Sequence, residues 1–154
     1  MNETTQIETP NTTKVSQYYA KWLWLCSILF AFRLAAQLAA FSFRPNFLPS
    51  FESWHGGVLP YSILLTTQAC ILCWLVWTAH QFSLNRPLPH RRLGLVVTLF
   101  ASSYFALMLL RLILGLTILS DHRWFTSYLP AFFHLVLASY LLLYGHFHFC
   151  HGRK

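Results

Sequence analysis

Two arginines and a histidine are the residues most marked out for chemistry, because apolar side chains surround each of them. Arg33 follows Ile28-Leu-Phe-Ala-Phe32, Arg111 follows Ala106-Leu-Met-Leu-Leu110, and His134 follows Ala131-Phe-Phe133. A guanidinium is planar, permanently charged and rich in donors, so it suits a carboxylate, a phosphate or a carbonyl oxygen. Gln37 lies one helical turn from Arg33, and Ala35, Ala36, Ala39 and Ala40 thin the same segment for close packing. Gln68 adds a neutral polar group, and Tyr104, Arg111 and Gly115 share a helical face. Glu52 and Asp121 are the acidic residues outside the first few positions, and His55 stands beside Glu52 in an aromatic, Gly-Gly-containing stretch. The expected site is a polar pocket lined by Arg33, Gln37, Glu52, His55, Arg111, Asp121 and His134, fit for an anionic, quinone-like or lipid guest. The competing expectation is structural. Arg33 with Glu52 and Arg111 with Asp121 would be ion pairs that lock helices, or the arginines would snorkel to the interface.

The elements that hold these residues follow from composition. Of 154 residues, 56% are hydrophobic and 10% charged, and the mean hydropathy is +0.47. Soluble domains carry about 25% charged residues, so this chain reads as an integral membrane protein. Apolar runs at about 19–43, 59–82, 93–119 and 124–149 each approach the ~20 residues needed to cross hydrocarbon. Lipid leaves backbone groups no other partner, so each run is expected to be helical. The fold class is all-α: an integral membrane, antiparallel four-helix bundle. Residues 1–18 read as a flexible polar leader without a cleavable signal, 19–149 as the four-span domain and 150–154 as a basic tail. The short break Ser120-Asp-His-Arg123 makes spans three and four antiparallel neighbours, and Pro130 is expected to kink span four.

Lysine and arginine give the expected sidedness. Lys14, Lys21, Arg86, Arg91, Arg92, Arg153 and Lys154 fall on one side, and Arg44 and Arg123 on the other. That bias places both termini and the second loop in the cytoplasm of a multi-pass protein, with a bacterial inner (plasma) membrane as the expected location. The pocket then faces outward.

Cysteine and histidine suggest further chemistry. Cys70 and Cys73 form a CxxC on one helical face with Thr66, Trp77 and His80. Four short spans with a CxxC are similar to the quinone-linked thiol oxidases of the DsbB and vitamin K epoxide reductase families. That resemblance implies dithiol–disulfide exchange through Cys70 and Cys73. Those families also use a second, outward cysteine pair, whereas Cys26 and Cys150 fall toward the inner side here. The thiol relay therefore has no entry point, and the favoured reading is cysteines buried as small apolar residues. Eight histidines in a four-helix bundle are similar to b-type membrane cytochromes, which implies bis-histidine haem ligation by His80 with His146 or His134 with His55. His146, His148, Cys150 and His151 are metal-ligand types, but helical spacing spreads them around the axis, so no metal site is expected.

The sequence contains no phosphate-binding glycine loop, nucleophile elbow or HExxH. It also offers no surface for nucleic acid. The expected function is a small membrane binding protein, with the bilayer and further membrane subunits as its partners. The alternative is an enzyme of membrane redox or lipid head-group chemistry, with His55, Glu52 or His134 as acid–base.

Overall fold

The computed structural model describes residues 10–43, 61–117 and 128–152. These residues form four helices and no strand: α1 (Pro10–Phe43), α2 (Tyr61–Ser83), α3 (Arg91–Thr117) and α4 (Tyr128–His151). Each helix is long and apolar enough to cross a bilayer. The chain is therefore an integral membrane protein of all-α class.

Two boundaries differ from the sequence expectation. α1 begins at Pro10 rather than near Tyr19. Proline suits a first helical position because its fixed φ is already helical and its missing N–H has no intrahelical role there. The extension is anchored by buried Ser16, whose hydroxyl donates to the Phe82 carbonyl at 2.9 Å. Pro130 does not kink a helix interior. It lies two residues into α4, where a missing N–H costs no intrahelical hydrogen bond.

The helices pack unequally. α3 and α4 share the most extensive interface, α1 packs on α2 and on α4, and α2 and α3 do not pack along their length. α3 shows how the α3–α4 contact works. Ala101 is fully buried, whereas Val96, Leu99, Phe100, Leu107 and Leu116 are exposed. Large apolar side chains gain nothing by leaving lipid, so close approach of backbones at small residues supplies the cohesion. A Cβ on Gly94 would strike the Phe149 backbone nitrogen, and one on Gly145 would lie 2.9 Å from the Thr98 nitrogen.

A second cluster joins the other helices. Leu23, Cys26 and Phe30 of α1 pack with Leu75, Ala79 and Phe82 of α2 and Tyr140 and Phe147 of α4. The Tyr140 hydroxyl donates to the Leu75 carbonyl at 2.7 Å, across a sequence offset of 65. Phe82 and Phe147 keep the same parallel register, with ring centroids 4.7 Å apart. Tyr19 bonds His146 at 2.7 Å. The start of α1, the 84–90 loop and the end of α4 therefore share one end of the bundle. Lys14, Arg86, Arg91 and Arg92 gather there.

That loop leaves α2 through a defined cap. Asn85 adopts φ 54°. Its N–H bonds the Phe82 carbonyl, and the Arg86 N–H bonds the Gln81 carbonyl. This is a Schellman ending, with asparagine in the left-handed position and Pro87 just beyond it.

Valine at Gly94 or Gly145 is expected to destabilise the bundle by about 1–3 kcal/mol or more, as overpacking does. Loss of helicity at lower SDS fraction, followed by circular dichroism, checks this. A variant as stable as the parent would show that the backbones need not approach there.

Candidate ligand site

Away from the basic end, all four helices carry polar side chains toward one group. Arg33 lies about 15 Å before the end of α1 and is 7% exposed. Its guanidinium stands over the Phe133 ring of α4, 5.3 Å from the centroid. A desolvated cation–π contact of this kind is worth about 2 kcal/mol, less than burying a guanidinium costs. Its Nε is buried and has no hydrogen-bond partner.

Gln37 lies one turn further along α1. It is fully buried, and neither its amide nitrogen nor its amide oxygen has a partner. Gln68 approaches the same level from α2. The offset of 65 between α2 and α4 sets it level with Phe133, and its buried Oε1 also lacks a partner. Each unpartnered amide atom costs about 1–3 kcal/mol. Arginine and two glutamines at neighbouring levels thus turn unused donors and acceptors toward the interior.

α3 and α4 complete the group. The Tyr104 hydroxyl and His134 Nδ1 are 2.6 Å apart, with the two rings edge-on. Both Arg33 and Arg111 lie within electrostatic reach of Tyr104 and of His134. The described residues contain no aspartate or glutamate. Within these four helices, the buried guanidinium therefore has aromatic and amide neighbours and no carboxylate.

Of the residues expected to form the pocket, Arg33, Arg111 and His134 come together, with Gln37 one turn away. Glu52, His55 and Asp121 lie outside the described residues, as do both expected ion pairs. Sequence reading missed Phe133 as the platform for Arg33 and the bond from Tyr104 to His134. The spacing of Tyr104 and Arg111 on one face was the available signal.

A scan against family models and searches of curated proteins and solved structures found no match to the chain. Function is therefore argued from the site itself.

The remaining candidates separate from this cluster. Cys70 and Cys73 are not buried apolar residues: both are free and exposed. Thr66, Trp77 and His80 are exposed with them, so this face of α2 is not packed into the bundle core. Cys26 is buried in the α1–α2–α4 cluster. His146, one half of an expected haem pair, bonds Tyr19 through Nδ1 and meets Cys150 Sγ at 3.4 Å through Nε2. His148 faces the 84–90 loop and accepts the His90 N–H. Among the described residues, no three ligand-type side chains group to hold a metal ion.

Phenylalanine at Tyr104 is expected to cost about 1 kcal/mol, the net worth of one buried hydrogen bond. It should also release the His134 ring, observable as a changed imidazole chemical shift. An unchanged shift would mean that the two side chains are not bonded in the bilayer.

Proposed function

We propose that the chain is a multi-pass membrane binding protein whose guest presents an anionic or carbonyl oxygen to Arg33, with Gln37 and Gln68 completing its hydrogen bonds. The supporting observation is the set of buried, unpartnered polar atoms on Arg33, Gln37 and Gln68 in helices that contain no carboxylate. An oxygen-rich guest satisfies those groups together: charge-assisted bonds to the guanidinium, and amide donors and acceptors around it. Arg111, Tyr104 and His134 line the α3–α4 side of the same site. Glu52, His55 and Asp121, expected from the sequence to join this pocket, lie outside the described residues. The amphiphiles that fit are a fatty-acid carboxylate, a lipid head group and a quinone carbonyl.

In this reading the basic end faces the cytoplasm, by the lysine and arginine bias, and the site opens to the opposite side of a bacterial inner membrane. Many large apolar side chains remain on the outer surfaces of α1 and α3. They suit lipid or further subunits, so the protein acts as an accessory component of a larger membrane complex.

The variant Gln37→Leu tests the reading. Replacing an unsatisfied buried amide by an apolar group of similar size is expected to leave stability unchanged or raise it by about 1 kcal/mol. The same change should weaken binding of oleate or a short-chain quinone at least tenfold, and Arg33→Gln should do likewise. Native mass spectrometry of detergent-solubilised protein measures both. Binding of both probes unchanged in both variants would overturn the proposal and leave these side chains as structural groups.

A further inference from the structure

The basic end of the bundle holds a second feature, independent of the Arg33 cluster. A groove of about 480 Å³ lies beside α2, under the 84–90 loop and against the end of α4, with the start of α3 at its edge. Trp74, Trp77 and Phe82 of α2, Leu93 of α3 and Tyr144 and His148 of α4 line it, and Arg86 and His90 of the connecting loop stand at its mouth. Its walls are aromatic: the Trp74 and Tyr144 centroids are 6.0 Å apart, and those of Tyr144 and His148 are 4.4 Å apart.

The polar group inside is specific. His148 is 4% exposed. Its Nδ1 accepts the backbone N–H of His90 at 3.2 Å. A backbone amide can only donate, so Nδ1 carries no proton, and the neutral ring must carry it on Nε2. That Nε2 is buried and has no partner. The groove wall therefore holds two buried polar groups without a partner, the His148 Nε2–H and the Thr78 hydroxyl, and the Arg86 guanidinium is among the lining groups. Its lining includes no acidic residue. Arg91 and Arg92 follow directly in the sequence.

We propose that this groove binds one anionic phospholipid, with the phosphate held by the His148 Nε2–H and the Arg86 guanidinium and an acyl chain laid along Trp74, Trp77 and Leu93. The arrangement matches the layers of a leaflet. Charge lies at the level of the 84–90 loop, and the tryptophans lie deeper along α2, separated from the loop by two to three helical turns. A phosphate accepts from both donors, and the aromatic walls take the methylenes. A zwitterionic lipid brings the same phosphate, but its ammonium group faces a basic rim.

The test uses the delipidated full-length chain in a neutral detergent. It is titrated with phosphatidylglycerol, phosphatidylcholine and inorganic phosphate, and bound lipid is counted by native mass spectrometry. One phosphatidylglycerol should be retained about tenfold more tightly than phosphatidylcholine. Arg86→Gln should reduce that preference about fivefold, the effect of one basic residue at a membrane surface. Arg86 is exposed and its described hydrogen bond is made by its backbone, so this variant keeps the fold. His148→Phe should weaken retention of both lipids, because the phosphate it holds is common to them, and Arg33→Gln should leave retention and preference unchanged, which separates this groove from the other site. Equal retention of the two lipids would overturn the proposal, as would a preference unchanged in Arg86→Gln. Displacement of the lipid by millimolar inorganic phosphate would assign the groove to a free anion and overturn it as well.

Discussion

Everything in this bundle depends on how α4 is gripped from three sides without help from the hydrophobic effect. In lipid, leucine gains nothing by turning inward, so cohesion comes from close backbone approach and from hydrogen bonds between helices. Gly94 and Gly145 bring α3 and α4 together. On its other sides, α4 offers Tyr140 to the Leu75 carbonyl and His146 to Tyr19. These contacts set a parallel register with α2 and an antiparallel one with α1 and α3. That register sets the levels at which Arg33, Gln68 and Phe133 lie.

The electrostatics follow from the same arrangement. A buried guanidinium with no carboxylate in its own helices is unstable unless something else meets it. Phe133 provides part of that through its ring face. The amides of Gln37 and Gln68 are near enough in level to share a guest, yet their own bonds remain unmade among the described residues. The Tyr104–His134 pair differs because its members already satisfy one another. The site thus divides into a closed half on α3 and α4 and an open half on α1 and α2.

The four helices were legible because apolar runs of membrane length have one backbone solution. Arg33, Arg111 and His134 were legible as a group because charge in such runs needs a shared reason. The burial of the cysteines was misjudged, since CxxC spacing fixes a helical face but not which way that face looks. In a bilayer an apolar face can stay outside the packed core, as the face carrying Cys70 and Cys73 does. The groove beside His148 was also hidden. It arises where α2, the 84–90 loop and the end of α4 meet, which is a tertiary property, and from a ring tautomer set by the His90 backbone. Pro130 shows the limit for helix ends: a proline within an apolar run predicts a kink, but here the helix starts two residues before it and the proline sits in the first turn.

The seam between α2 and α3 has a consequence for assembly. α1 with α2, and α3 with α4, are each antiparallel pairs of neighbouring helices, and their union is made by α4 packing on α1 and reaching α2 through Tyr140 and Phe147. The short connection through Asn85 and Pro87 joins the two hairpins. Its Schellman ending fixes the direction in which the chain leaves α2. Widening the seam by moving the second hairpin would break the Tyr140–Leu75 and Tyr19–His146 bonds and the Phe82–Phe147 contact, while leaving the glycine contact between α3 and α4 intact.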